Sequence, residues 1–377
     1  MASNEAIDPR ALSLFTGMGG MDVGARIAGI PVALGVDIEQ SALDVLASYA
    51  PCPTAQLDLG DGPPDELAER ANLDGRPLVV FGGPPCTGFS HAGFWLDGKR
   101  NGLDPAVSLL ARFGTIVIRL QPEAWVLENV PGLTFKTFRS QFEHFKTMVS
   151  ADYSVHAQIL NAADFGVPQR RNRLFVVGLR GHGREFKFPE PFVPRERHRT
   201  AAWAFRGIPS TENPVEPDER LEGRYAHLLP EVPEGDNYLY FTERRGHHEP
   251  QFKWRSRYWS FLKKLHPDEP SNTLPATRVT NNGPFHWENR HLRIREMARI
   301  QGFPDSAALR PTEDHRRFVG NAVPPLLAGA VFSRLADTLG GPGGTSASCP
   351  LESMRAPTAS SRAISEAIQA ALTSEER

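Results

Sequence analysis

The residues best suited to chemistry in this chain sit at the ends of short apolar runs. Cys86 follows Val79-Val80-Phe81-Gly82-Gly83-Pro84-Pro85, a strand-type run closed by two glycines and two prolines, and opens into Thr87-Gly88-Phe89-Ser90. A strand tip that delivers a thiol into an open loop suits nucleophilic attack, because the thiolate is the reactive form and its surroundings set how much of it exists. Taken alone, the same cysteine suits a small buried hydrophobe equally well. Glu128 ends a second run, Ala124-Trp125-Val126-Leu127, ahead of Asn129-Val130-Pro131-Gly132. Arg171 and Arg173 alternate in Gln169-Arg170-Arg171-Asn172-Arg173. A carboxyl with arginines beside it can manage a proton and stabilise a developing anion. A simple ion pair at Glu128 and two solvent-facing arginines on a strand would leave the same trace.

These residues need a scaffold that brings strand ends together. Ala11 to Leu14 reads as a strand running into Phe15-Thr16-Gly17-Met18-Gly19-Gly20, with a helix over Met21 to Gly29. Strand, glycine-rich turn and helix let a cofactor approach backbone at a helix N-terminus, although any tight turn wants glycine and the spacing is not the full dinucleotide fingerprint. A strand at Pro31 to Val36 ends in Asp37, placed to hold ribose hydroxyls or to cap a helix over Glu39 to Tyr49. Asp58 follows a third strand. A helix near 105–120 and further strands at 154–160 and 173–179 complete an alternation that predicts an α/β fold, a doubly wound, Rossmann-like sheet filling roughly residues 11–180.

The chain is 377 residues long, enough for one large and one smaller domain, and its 40% hydrophobic and 23% charged composition is that of an ordinary globular protein. No apolar run reaches 18 residues and the first residues lack a signal-type core, so a cytoplasmic location without membrane contact is expected. Cys52, Cys86 and Cys349 lie far apart, with neither zinc-site spacing nor a disulfide framework, so no metal is expected. A net charge of -2 leaves nucleic-acid binding to local clusters.

Such a cluster follows a change of character after Lys187. Eight prolines fall between Pro189 and Pro233, and periodicity is lost. Residues 244–264 then carry seven Lys or Arg against one Glu, interleaved with Phe252, Trp254, Tyr258, Trp259 and Phe261. That mixture suits a surface contacting phosphates, or an amphipathic helix with a solvated basic face. Helices resume at Ile294 to Gln301 and at Ala322 to Leu339, with Pro324 and Pro325 in the first turn of the latter. A glycine-serine stretch leads from 340 into a tail ending at 377, to which no function is assigned.

Six segments now stand in a recognisable order. Phe15-Thr16-Gly17-Met18-Gly19-Gly20, Gly83-Pro84-Pro85-Cys86, Glu128-Asn129-Val130, Gln169-Arg170-Arg171-Asn172-Arg173, Arg293 through Pro304, and Gly320-Asn321-Ala322-Val323-Pro324-Pro325 closely resemble the motif series of the DNA (cytosine-5) methyltransferases. The match spreads over about 310 residues, with a long variable stretch between the fourth and fifth motifs.

The resemblance implies S-adenosylmethionine as methyl donor, bound by Phe15, Gly17 and Gly19, with Asp37 on the ribose, Ile38 against the adenine, Asp58 at its amino group, and Pro85, Asn321 and Val323 closing the pocket. It implies a catalytic domain of residues 1–187 completed by 291–339, a target-recognition domain at 188–290 and a tail at 340–377. Cys86 would attack cytosine carbon 6, Glu128 would protonate ring nitrogen 3, and Arg171 or Arg173 would face the carbonyl. The base would be flipped from double-stranded DNA. Arg255, Arg257, Thr277, Arg278 and Asn281 are the expected DNA contacts, and a functionally paired restriction endonuclease is the expected companion of a protein for which a monomer suffices. Thr87 departs from the glutamine common in relatives, and the arginine-bearing segment before Leu103 matches loosely, which bears on loop closure. A tRNA-modifying branch of the family has a more compact variable region and a Cys-Phe-Thr segment that is missing here. A non-catalytic relative would lack the cysteine or the glutamate, and both are present.

Overall fold

The computed structural model describes residues 10–60, 65–71, 79–85, 105–209 and 219–340. Seven strands form one sheet in the order β3-β2-β1-β4-β5-β7-β6. They are β1 (Ala11–Leu14), β2 (Val32–Asp37), β3 (Thr54–Gln56), β4 (Val79–Gly82), β5 (Ala124–Asn129), β6 (Tyr153–Asn161) and β7 (Asn172–Arg180). The first five run parallel, and β7 lies antiparallel between β5 and β6. Every residue of β1, β4 and β5 is buried, as continuous apolar runs covered on both faces must be.

The alternation of side chains sorts these runs into two layers. Val79, Phe81, Ala124 and Val126 point to one face and pack with α1 (Gly20–Ile27), α2 (Gln40–Tyr49) and the last helix. Leu12, Leu14, Val80, Trp125 and Leu127 point to the other, under α3 (Asp65–Arg70), α4 (Pro105–Leu120) and α5 (Arg139–Val149). The chain leaves β1 toward β2 and β3, then returns past β1 to β4. This reversal opens a crevice above the C-terminal ends of β1 and β4, the place where open α/β sheets bind ligands.

After a short α6 (Ala201–Ala204), the described residues from 219 to about 290 form turns and isolated bridges around a cluster of their own, Leu228, Leu229, Val232, Tyr238, Phe241, Leu262 and Phe285. Residues 244–264 contain only short 3-10 turns, so the amphipathic-helix alternative does not hold. Regular structure returns with α7 (Ile294–Gln301), α8 (Glu313–Asn321) and α9 (Pro325–Thr338). The expected helix over Ala322 to Leu339 thus starts at Pro325, and Ala322, Val323 and Pro324 form a non-helical link from the end of α8. Buried Arg290 joins the two regions by paired bonds to Glu296 at 2.7 and 2.9 Å, and Arg293 reaches Glu219 at 2.6 Å.

Helix α9 returns to the start of the chain and packs on α1. A Cβ on Gly20 would fall 2.0 Å from the Val323 carbonyl oxygen, so only glycine permits this approach. Glu313–Thr338 is long and apolar enough to cross a membrane by composition alone, but it is broken into α8 and α9 and mostly buried inside the protein.

Candidate active site

A cavity of about 290 Å³ lies in the crevice above β1, β2, β4 and β5. Its floor is the turn after β1. Phe15, Gly17 and Gly19 all take left-handed backbone angles, with φ of 54°, 55° and 84°. For Phe15 this conformation costs about 1 kcal/mol, and the fold must hold it in place. Asp37 does so: its Oδ2 accepts from the Gly17 N–H at 2.7 Å and its Oδ1 from the Glu39 N–H at 3.0 Å. Burial raises the Asp37 pKa, and these two backbone donors oppose the rise. The helix-capping and ligand-binding readings of Asp37 are therefore compatible, since two N–H bonds leave a carboxylate with further acceptor capacity. Gly17 lines the cavity, and a Cβ there would meet no protein atom within 4 Å.

Around this floor stand most of the residues singled out from the sequence. Ile38 lines the wall and is 56% exposed, an apolar side chain with a face to offer. Asp58 is exposed on the outer rim, its Oδ1 accepting from the Gly60 N–H at 2.8 Å. Asn321, at the end of α8, and Val323 close the opposite side, and Pro84 and Pro85 form the edge over β4. The Asn129 amide donates to the Pro84 carbonyl at 3.2 Å, bracing the backbone two residues before Cys86. Cys86 and the loop that follows it lie outside the described residues.

Glu128 and Arg173 face each other in the same cavity. Arg173 Nε lies 2.9 Å from Glu128 Oε1, with both side chains no more than 10% exposed. Burial raises the Glu128 pKa, opposed first by Arg173 and then by Arg171. The result is a carboxyl that holds its proton more firmly than an exposed one, beside a permanent cation. Arg171 goes elsewhere. It is fully buried, and its guanidinium donates to the carbonyls of Gly320 at 2.6 Å and Leu274 at 3.3 Å and to Gln169 Oε1 at 3.4 Å. Gln169 bonds Gln301, which in turn donates to the Val319 carbonyl at 2.6 Å. Arg171 therefore does not share the reacting site with Glu128. It ties α8, and through it Asn321, to the sheet, while Arg173 alone reaches the cavity. The physical reason is that β7 begins at Asn172, so Arg171 lies outside the pleat that would have put both arginines on one face. Neither arginine faces solvent.

Three charged cavity residues escaped the sequence reading: Asp22, Glu39 and Arg317. Arg317 pairs with Glu39 through two bonds of 2.7 Å across the rim, from α8 to the start of α2. No local signal marks a pair whose members are 278 positions apart.

The expected DNA contacts lie to one side. Arg255 and Arg257 are exposed, near the ring of exposed Tyr258, and Arg244 stacks on Trp254 at 4.2 Å. Thr277 is exposed, and Arg278 and Asn281 are partly buried. Their loop touches the motif at the cavity, because the Pro275 carbonyl lies 2.3 Å from where a Gly320 Cβ would be.

Comparison with known proteins decides what this arrangement belongs to. The family model described as C-5 cytosine-specific DNA methylase matches residues 10–337. The chain belongs to that family. This C-5 methylase is 41% identical over 364 residues to the Type II methyltransferase M.SacI of Streptomyces achromogenes, covering 87% of this chain and 93% of the relative. It is 33% identical over 330 residues to the Type II methyltransferase M1.HphI of Haemophilus parahaemolyticus, covering 85% and 84%. A DNA modification methyltransferase encoded within an E. coli prophage shares the fold, with a TM-score of 0.61 at 23% identity over 88% of this chain and 99% of its own. The C-5 methylase is thus a DNA cytosine methyltransferase, and the RNA-modifying and non-catalytic readings give way to it. Among the described residues no cluster of His, Cys, Asp or Glu is arranged to hold a metal ion.

Proposed function

We propose that this enzyme moves the methyl group of S-adenosylmethionine to carbon 5 of a flipped-out cytosine in one specific duplex sequence, through a covalent bond from Cys86 to carbon 6. The observation that carries this reading is the Glu128–Arg173 pair, buried in the same cavity as the left-handed turn after β1 and next to the Pro84-Pro85 edge. The residues fit the donor: a glycine cradle at Gly17, two strand-end acids at Asp37 and Asp58, and the apolar face of Ile38. When bound there, S-adenosylmethionine supplies an electrophilic methyl group. Phe15, Gly17 and Gly19 hold its backbone-facing side, Asp37 its ribose, and Pro85, Asn321 and Val323 the remaining walls.

Carbon 5 of cytosine is too weak a nucleophile to be methylated directly. The Cys86 thiolate adds to carbon 6, and the displaced ring electrons move toward nitrogen 3, which takes the Glu128 proton. Burial raises the Glu128 pKa and so favours the protonated carboxyl that the step needs, and Arg173 stabilises charge at the adjacent carbonyl. Carbon 5 is then enamine-like and reactive. Once the methyl is in place, loss of the carbon-5 proton re-forms the double bond, expels Cys86 as thiolate and returns the nitrogen-3 proton to Glu128. Arg171 acts as a positioning residue.

Residues 1–187 with 291–339 form the catalytic unit in this reading, 188–290 the target-recognition unit, and the basic-aromatic surface with the 277–283 loop its DNA-facing side. A Type II restriction-modification role follows from the relatives' names, with a paired endonuclease acting on the same sequence and both working in the cytoplasm. One chain carries both donor and cytosine sites, so a monomer suffices. The test is base-resolution methylation sequencing of plasmid DNA from a methylation-free bacterial host expressing the protein or Cys86→Ala. Methylcytosine at one recurring sequence, absent with the variant, is expected. Turnover by Cys86→Ala overturns the mechanism.

A further inference from the structure

Five carboxyl groups line the cavity; Glu39 is held by Arg317, and the other four follow the sheet edge in strand order. Asp58 follows β3, Asp37 ends β2, Asp22 stands in the first turn of α1 just after β1, and Glu128 is on β5. The proposed mechanism uses three of them. Asp22 is 1% exposed, and neither of its carboxyl oxygens meets hydrogen-bond geometry with any donor. Burying a polar group without partners is unfavourable, and such groups in folded proteins call for an explanation.

The protein supplies almost nothing to balance a charge here. On β1 the Ser13 hydroxyl is the main group favouring the ionised form, followed by the backbone N–H of Asp22 itself, and on β2 the carboxylate of Asp37 opposes it. On α1 itself Arg26 exerts the weakest influence and donates to the Pro51 carbonyl. On α2 the Tyr49 hydroxyl is spent on the Met18 carbonyl. From α9 the small residues Ala328 and Gly329 press on α1 at Gly24. Burial is the dominant effect, and the Asp22 pKa rises to about 7. Among the described residues no histidine lines the cavity.

The order along the edge says what sits above Asp22. Accepting the donor site proposed above, ribose and adenine lie over β2 and β3, and the reacting base lies beside Glu128 on β5. The methionyl end of the donor, with its positively charged sulfur and its ammonium group, must bridge the space over β1 and β4. We propose that Asp22 is the counter-charge for this cationic end: a dry carboxyl under the glycine turn that ionises when the donor binds and so contributes to its affinity.

The test is calorimetric binding of S-adenosylmethionine and S-adenosylhomocysteine between pH 6 and pH 8, to the wild-type protein and to Asp22→Asn. The free donor's amine titrates the same whichever protein it is offered to, so the ratio of the two profiles reports what Asp22 adds. A carboxyl titrating near pH 7 that must be ionised in the complex weakens wild-type donor binding about tenfold at pH 6 relative to pH 8, beyond any change in Asp22→Asn. A shift with the donor alone assigns the sulfur charge as the partner, and one shared by S-adenosylhomocysteine assigns the ammonium; either supports the inference. Parallel pH profiles for the two proteins overturn it while leaving the donor site intact. Failure of the wild-type protein to bind either compound at any pH overturns the donor site and this inference with it. Asp22→Ser serves the same comparison if Asp22→Asn does not fold.

Discussion

Replacing Arg171 and Arg173 in turn by methionine separates holding from reacting. The Arg171 guanidinium serves three buried acceptors, at 2.6, 3.3 and 3.4 Å, with no solvent to replace it. Hydrogen bonds to a charged group contribute roughly 1.5–3 kcal/mol each, with the two long ones at the low end. Relief from burying the cation offsets part of this, leaving a net loss of about 3–5 kcal/mol for Arg171→Met. At roughly 2 °C per kcal/mol for a domain of this size, the melting temperature should fall by about 6–10 °C. Donor affinity should fall too, because the Gly320 carbonyl that Arg171 holds immediately precedes Asn321. Single-turnover methyl transfer by the folded, donor-saturated fraction, measured well below the transition, should stay within about tenfold of wild type. Arg173→Met should do the reverse, losing on the order of a hundredfold or more in transfer, as when one preorganised donor is removed. Differential scanning fluorimetry and rapid-quench transfer assays on the two variants make the comparison. A melting temperature within about 1 °C of wild type for Arg171→Met, combined with a transfer defect equal to that of Arg173→Met, would refute the assignment.

Other expectations follow from the same geometry. Asp22 has a folded pKa of about 7 against an ordinary 3.8, so the folded state binds the extra proton and the stability this contributes is lost as pH rises through 7. From that group alone the protein should be about 3 kcal/mol less stable at pH 8 than at pH 5, a slope that Asp22→Asn should remove in urea titrations. Gly20→Ala drives a methyl group into the Val323 carbonyl, 2.0 Å from the new Cβ, and should weaken donor binding at least tenfold while shifting α9 off α1. Reversing Arg255 and Arg257 to glutamate should weaken DNA binding and flatten its dependence on salt by one to two phosphate contacts, with donor affinity unchanged; an unaltered salt slope would place the DNA on another surface.

Much of the catalytic half is legible in the chain because its signals are local. Continuous apolar runs ending in Asp37, Pro84 and Glu128 mark buried parallel strands, and the sheet carries those ends to one edge whatever the loops do. The boundaries slip where two local rules compete: Pro324 and Pro325 suit a helix start, and the polar run Glu313–Asn321 before them hides α8. Arg171 misleads because alternation is a rule about residues inside a strand, and the strand begins one position later. Glu39–Arg317 and the isolation of Asp22 are facts about neighbours far away in sequence, which spacing does not encode. The region after Lys187 is opaque for another reason. Its prolines withhold backbone donors, so its cluster of Tyr225, Tyr238, Phe252 and Phe261 rings, 5.3–5.7 Å apart, forms without any periodic element to announce it.

The meeting of Gly20 with Val323 also sets a schedule for synthesis. At roughly 5–20 residues per second, α1 leaves the ribosome about 15–60 s before α9 follows it. Throughout that interval Val23 and Ile27, buried in the finished protein, await much of their cover, and the wall formed by Asn321 and Val323 does not yet exist. A message broken short of this point yields a nascent chain that can shape most of the sheet but cannot close the pocket. Competence arrives late in translation, all at once.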